Sequence, residues 1–322
     1  MRIAVDAMGG DHAPHELVKG AVQAASDLDG VEIILVGDRA RVDAELSRYV
    51  CVNGRITIEH AAQVIEMHEP PAAAVRCKPD ASVVVAGELV RSSAADAMVA
   101  LGHTGAAMVV AAMRLGRIEG ISRPTIASPL PGRNGHMVLL DAGATVDCEP
   151  HNLVQFAVMG AIYAERILGV PAPRVGLFSI GEESTKGNDL VKATFPLLRA
   201  AGLHFVGNVD GKDIFRGAAD VIVCDGFVGN AILKVAEGVG EMILDAIPDA
   251  ATRGALAKRL DYSEYGGAPL LGVRGVCIIG HGRSRAKAVA NAIRVAKVAV
   301  EQGMVRHIHD ALSTRGLCAQ AH

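Results

Sequence analysis

The chain predicts an α/β protein of the three-layer α/β/α sandwich kind, built on a large, mostly parallel sheet with a short helical hairpin added. Three observations carry this. Short runs rich in β-branched residues alternate with Ala- and Leu-rich stretches along nearly all of the 322 residues, which is the pattern of successive βαβ units. The runs, such as VEIILVG, VIVCDG and VCIIG, are apolar at consecutive positions, so both faces of each strand need helices over them. Half of the residues are apolar, enough for one large domain or two ordinary ones. No Pro- or Ser-rich linker, charge run or internal repeat marks a boundary, so residues 1–322 read as a single domain.

RIAVDA forms the first strand, and Pro14 is placed to open the helix that follows, because its fixed φ suits a first helical turn. VEIILVG, a helix from about Asp38 and RITIEH continue the series. Then come DAMVAL, a helix over 105–116, PTIASPL, MVLLDAG, a helix over about 150–168, RVGLFSI, a helix over 189–200 and HFVGN. VIVCDG, a helix from Asn230, VCIIGHG and a helix over about 285–302 complete it, with about ten strands in all. Residues 231–261 interrupt the alternation as two helices broken at Pro248. Their apolar residues Ile232, Val235, Val239, Met242, Ile243 and Ile247 recur at helical spacing. Packing against the body or a dimer mate is favoured over membrane contact.

Composition narrows the function. Thirty-two basic residues face 35 acidic ones for a net charge of −3, and there is no Trp, so neither a bulk field nor stacking platforms favour nucleic acid. The cysteines, at 51, 77, 148, 224, 277 and 318, include no C-x-x-C pair, a pattern of reduced cytosolic thiols to which no catalytic role is assigned. Arg2 and Asp6 interrupt the first apolar run, and no apolar stretch approaches about 18 residues. A cytoplasmic, soluble protein is expected, at most peripheral at a membrane.

In a sandwich of this kind ligands bind at the carboxyl ends of the strands, and five such ends carry unusual loops. DAMGGDHAP places Gly9, Gly10, Asp11 and His12 after the first strand, where glycines turn the backbone and expose its amides. GHTGA puts Gly102, His103, Thr104 and Gly105 before an Ala-rich helix, where amides and a hydroxyl can hold a phosphate or acyl oxygen or simply cap the helix. GEESTKGN offers Lys186 beside Gly187 and Asn188. DGFVGN brings Asp225, Gly226, Gly229 and Asn230, although Asp225 is equally a strand-end acid bonding backbone amides. GHG holds His281 between two glycines, where it can exchange protons near neutral pH.

Missing motifs exclude other chemistry. GEESTKGN lacks the order of a nucleotide-binding phosphate loop, no strand is followed by G-x-G-x-x-G, and no G-x-S-x-G elbow exists. No two histidines share a helix face at ligand spacing, so no metal and no cofactor are expected.

DAMGGDHAP, the TGA loop, Arg123-Pro124, LLDAGATVDC, LVQFAVMG, RVGLFSIGEE, KGN, VGNVDGKDIF, ADVIVCDGFVGN and EYGGAPLLG together resemble the PlsX family of acyl-[acyl-carrier-protein]:phosphate acyltransferases. The resemblance runs in order from residue 2 to about 300. It implies attack of inorganic phosphate on the thioester of a long-chain acyl carrier protein. The acyl phosphate formed is then used by a membrane glycerol-3-phosphate acyltransferase in phospholipid synthesis. It also implies a homodimer and a fold similar to the isocitrate dehydrogenase-like and phosphotransacetylase group. Phosphate is then the nucleophile, so the enzyme supplies positioning and charge neutralisation. On that reading Lys186, the Gly9 and Gly10 amides and the Gly102–Gly105 loop hold phosphate and oxyanion. Asp225 or His12 accepts a proton, Asn188 and Asn230 orient the acyl group, and Asp11, Gly226, Gly229 and His281 complete the binding set.

The chain departs from the family pattern in three places. His103 precedes Thr104, Glu69 stands in Met67-His68-Glu69-Pro70, and the segment between Gly238 and Tyr262 is shorter than in typical members. In the family that hairpin is associated with membrane docking, so weak docking, or docking through a partner, is expected. Arg253, Lys258 and Arg259 are candidates for meeting the acidic carrier protein, or form a solvated helix face. Two enzymes of the same fold remain alternatives, a short-chain acyl-coenzyme A phosphotransacetylase and a decarboxylating dehydrogenase, as does a non-catalytic lipid-synthesis scaffold.

Overall fold

A computed structural model describes residues 1–49, 54–133, 135–260, 263 and 266–318. The chain divides into two compact units, Met1–Arg117 with Tyr262–Val305, and Ile118–Asp261 with Arg306–His322. The first opens with β1 (Arg2–Asp6), α1 (His15–Asp27), β2 (Glu32–Gly37), α2 (Arg39–Leu46) and β3 (Ile56–His60). Two helices absent from the sequence reading follow, α3 (Pro71–Cys77) and α4 (Ser82–Arg91), before β4 (Ala97–Ala100) and α5 (Thr104–Val110). A π-helical turn over Ala111–Leu115 prolongs α5 until Gly116, at φ +75°, ends it.

The second unit holds β5 (Thr125–Ile126), β6 (Ser128–Gly132), β7 (Gly135–Leu140), α6 (Pro150–Arg166), β8 (Val175–Phe178), α7 (Asp189–Ala200), β9 (Phe205–Val209) and β10 (Val221–Val223). After β10 come α8 (Gly226–Ala246) and α9 (Ala250–Leu260). The chain then returns to the first unit with β11 (Ala268–Leu271), β12 (Val276–Ile279) and α10 (Ala286–Glu301), and α11 (Met304–Thr314) follows.

The strands of the first unit run β3-β2-β1-β4-β12-β11, those of the second β6-β7-β10-β8-β9. All these neighbours pair in parallel except β11 with β12 and β6 with β7. The α/β class and the mostly parallel pairing are as expected; the division into two sheets is not. In β6, Pro129 and Pro131 lack the N–H groups that another strand would need, so β6 closes an edge.

The strand interiors explain the packing. Ile3, Ala4 and Val5 of central β1 are fully buried, as expected of strands covered on both faces. In the second unit Leu139, Ile222 and Val209 meet Phe178, Val228 and Ile232 in one cluster. Helix starts are written in short polar side chains: Asp38 Oδ1 accepts the Arg41 amide at 2.9 Å and Asn188 Oδ1 that of Val191 at 2.9 Å. The break at Pro248 is present, with Ile247 extended between α8 and α9. Val235, Val239, Met242 and Ile243 lie exposed along α8, an apolar stripe as the spacing predicts.

Helix α10 lies against α1 at Gly20, where an added Cβ would fall 2.4 Å from the Ala286 carbonyl oxygen and 2.5 Å from Val289 Cβ. Helix propensity alone makes Gly20→Ala stabilising by about 1 kcal/mol. The collision with fixed backbone costs about 1–3 kcal/mol and should win. Urea unfolding of Gly20→Ala is therefore expected to show a net loss, and an unchanged or higher midpoint would refute the close approach.

Candidate functional site

In the first unit the three glycine loops converge. Strand β1 delivers Asp6 to its carboxyl end, 4% exposed, where Oδ1 accepts the amides of Met8 and Gly9, each at 3.1 Å. Burial pushes its carboxyl above the ordinary value, outweighing the hydrogen bonds from Ser82, Met8 and Gly9. The turn around Asp6 leaves no room for side chains: a Cβ on Gly9 would lie 2.5 Å from Asp6 Oδ2, and one on Gly102 2.7 Å from Gly9 Cα. Gly10, at φ +96°, sits against the carbonyl oxygens of Leu101 and Gly282, and the Asp11 amide donates to Gly282 O at 2.8 Å. A small cleft beside Asp6 is lined by Gly9, Val64, Ile65, Ala100 and His103.

His103 is already employed. Its Nδ1 accepts the Ala106 amide at 3.4 Å, capping α5, so Nε2 carries the proton and donates to Glu69 O at 3.0 Å. Both ring nitrogens serve the loop. Glu69 in turn pairs with Lys78 at 2.6 Å, which holds its carboxyl below the usual range. His12 is half-buried before α1, its carbonyl accepting the Glu16 amide at 3.1 Å. The start of α10 carries its own anion, since Glu16 Oε2 accepts the Ala286 amide at 2.7 Å. His281 is exposed, and its Nδ1 accepts the Arg283 amide at 3.4 Å.

In the second unit the organising residue is one the sequence reading did not single out. Asp141, fully buried, accepts the Ile126 amide at 2.8 Å, that of Gly143 at 3.3 Å and that of Thr145 at 2.5 Å. Burial raises its carboxyl too. The available signal was the Asp-Ala pair after an apolar strand, shared by Asp6-Ala7 and Asp141-Ala142.

Gly226 and Gly229 pack on this loop: a Cβ on Gly226 would lie 2.6 Å from Asp141 Oδ2, and one on Gly229 would overlap Asp141 O. Their need for glycine is thus already met by packing. Asp225 caps α8, its Oδ1 accepting the Val228 amide at 2.9 Å. The helix therefore begins at Gly226, and Asn230, expected at its start, lies exposed one turn in. Lys186 is exposed, and among the described residues no carboxylate pairs with it. Asn188 caps α7.

Of the cysteines, Cys77 and Cys318 are exposed. Burial pushes the Cys277 and Cys148 thiols up to about 12 and raises Cys224 well above its ordinary value, while Cys51 lies outside the described residues. The carboxylates of Glu182, Asp210 and Asp213 lie within 4.8 Å of one another. Lys212 Nζ stands 3.2, 3.1 and 3.8 Å from them and offsets part of their charge. Among the described residues no helix is long and apolar enough to cross a membrane. Arg253 and Lys258 are exposed on α9, and the side chain of Arg259 lies outside the described residues.

The fold is an α/β fold similar to that of phosphotransacetylases. It is similar to a phosphotransacetylase from Streptococcus pyogenes, with a TM-score of 0.66 over 94% of each chain at 18% identity. It is also similar to a branched-chain phosphotransacylase from Enterococcus faecalis V583, with a TM-score of 0.60 over 93% of this chain and 99% of the other at 13% identity. More particularly, the chain belongs to the fatty acid synthesis protein family, whose pattern it matches over residues 1–307. It is 51% identical to a phosphate acyltransferase of Desulforamulus reducens over 97% of each chain. It is 52% identical to one of Desulfitobacterium hafniense strain Y51, again over 97% of each.

The raised carboxyls have a signed consequence. Asp6 and Asp141 keep their protons to higher pH folded than unfolded, so their contribution to stability is whole below the ordinary value of 3.8 and is lost as pH rises through the folded value. The stability margin of the unaltered chain over Asp6→Asn should therefore shrink as pH is raised above 3.8. Urea melts at stepped pH measure this; a margin that widens with pH would contradict it.

Proposed function

We propose that the protein transfers a long-chain acyl group from acyl carrier protein to inorganic phosphate, releasing an acyl phosphate for phospholipid synthesis. Family membership supports the acyl-to-phosphate chemistry, and one structural observation carries it to these residues. The strand-end loops bring glycine backbone close together at Gly9, Gly10 and Gly102, while the buried thiols are held protonated. Such a site suits a reaction whose nucleophile arrives as substrate. A phosphate oxygen attacks the thioester carbonyl, the carbonyl becomes a tetrahedral oxyanion, and its collapse expels the carrier's thiolate, which takes up a proton.

In the first unit the Gly9 amide is already given to Asp6, and the amides of Gly10, Thr104 and Gly105 face the negative charge, with Asp11 and His281 at the rim and His12 as one proton acceptor. In the second, Lys186 supplies the cation. Asp225, with Oδ1 spent on its cap, keeps Oδ2 as the other candidate acceptor. Asn188 keeps Nδ2 to orient the acyl group, and Asn230 is placed on α8 for the same task. The chain works as a homodimer in the cytoplasm. The carrier protein meets the basic face of α9 at Arg253 and Lys258, and a membrane glycerol-3-phosphate acyltransferase consumes the product. The exposed stripe of α8, on a hairpin shorter than the family pattern, gives weak membrane docking. Co-sedimentation with anionic vesicles as strong as for a full-length hairpin would refute that.

The likeness to phosphotransacetylases favours one second reading, a short-chain acyl-coenzyme A donor. Incubating the protein with palmitoyl-acyl carrier protein, with and without phosphate, decides between them: phosphate-dependent loss of thioester is expected. Turnover of acetyl- or butyryl-coenzyme A alone would transfer the assignment, and silence with every donor would end it. Lys186→Ala should lose about 2.7–4 kcal/mol of transition-state stabilisation, roughly 10²–10³-fold in turnover. Near-normal rates at saturating phosphate would remove Lys186 from the mechanism.

A further inference from the structure

The loop that carries Lys186 is set from beneath by a residue whose own position depends on an irregular strand. Strand β9 pairs with β8 as Phe205 to Val175 and then Gly207 to Gly176, so Val206 is one residue too many. An inserted residue moves every later side chain to the opposite face of a strand, and Gly207, at φ +100°, accommodates the bulge. The residue so redirected is Asn208, 7% exposed, opposite Leu177. Its Nδ2 donates to Glu183 O at 2.8 Å, and that same carbonyl accepts the Lys186 amide at 3.0 Å. One oxygen thus ties Asn208 to the turn that ends at Lys186.

The other flank of Lys186 is fixed as well. Gly187, at φ +111°, passes over Ser179, and a Cβ there would lie 3.1 Å from Ser179 Oγ. Ser179 Oγ and Asn208 Oδ1 are both buried without a hydrogen-bond partner, an arrangement that costs stability. The Glu183 carbonyl would still have the Lys186 amide if Asn208 were apolar. The asparagine therefore does little for the fold itself. We infer that Asn208 is a positioning residue, holding the Glu183–Lys186 turn so that the Lys186 ammonium is presented to the phosphate nucleophile; this rests on the role given to Lys186 above.

The test is a double-mutant cycle on phosphate-dependent thioester loss from palmitoyl-acyl carrier protein. It uses the unaltered chain, Lys186→Ala, Asn208→Leu and the double variant, with kcat and KM for phosphate measured separately beside a thermal melt. Asn208→Leu is expected to melt no lower than the unaltered chain yet to lose about 10–100-fold in kcat/KM, as loss of alignment does. In the Lys186→Ala background the same change should cost less than about twofold, because it acts only through that lysine. Asn208→Asp, equal in shape but with no N–H for the Glu183 carbonyl, should match Asn208→Leu, and it carries the test should the leucine variant fail to fold. Additive losses in the double variant, or normal kinetics for both Asn208 variants while Lys186→Ala is crippled, overturn the inference alone. Normal turnover by Lys186→Ala overturns the role of that lysine and this inference with it.

Discussion

Two buried carboxylates decide how the strand ends of both units are built. Taking Asp6 or Asp141 out of water is unfavourable unless hydrogen bonds replace the lost hydration. The nearest donors are amides of the loop that follows, those of Met8 and Gly9 for Asp6 and of Gly143 and Thr145 for Asp141. The loops are consequently drawn back over the acids. What packs on them must be small: Gly9 and Gly102 in the first unit, Gly226 and Gly229 in the second. The glycine-rich character of these loops is thus first a consequence of the acids.

The helix starts obey a related rule. Asp225 on α8, Asn188 on α7, His103 on α5 and Glu16 on α10 each accept an amide at a helix N-terminus. A cap takes only a part of the orphan amides that a helix leaves, so capping and ligand binding are compatible. Capping does fix which atom of each side chain remains. Asp225 retains Oδ2 and Asn188 retains Nδ2, one acceptor and one donor, whereas both nitrogens of His103 are taken. Roles that the sequence left interchangeable among these residues are separated by this geometry.

What could be read in the sequence was what depends on neighbours along the chain. Helix α7 falls over Asp189–Ala200 as read, because Asn188 caps its start and a regular apolar spacing follows. The break at Pro248 is equally local. The start of α8 was misplaced by a turn, since Gly226-Phe227-Val228-Gly229 looks like loop, and its glycines answer to Asp141, more than eighty residues earlier. Short α3 and α4, of seven and ten residues, have too few turns to show a period. The division into two sheets depends on which strands pair, which no local pattern reveals, although Pro129 and Pro131 marked β6 as an edge. The loops of the candidate site were legible as glycine clusters; the partners of Asp6, Asp141 and Asn208 were not, because the fold supplies them from a distance.

The same distinction bears on the chemistry. A reaction in which phosphate attacks a thioester needs charge placed accurately more than it needs an activated side chain. Lysine is poorly suited to that by itself, being a point charge on a flexible stem. Lys186 is exposed and no carboxylate among the described residues holds it, so its aim has to come from the backbone beneath it. A left-handed glycine on one side, a buried asparagine bonded to the turn on the other and a bulge that directs the asparagine there are costly features for a surface loop. Their presence together is accounted for when the ammonium at the end of that loop must arrive at one place.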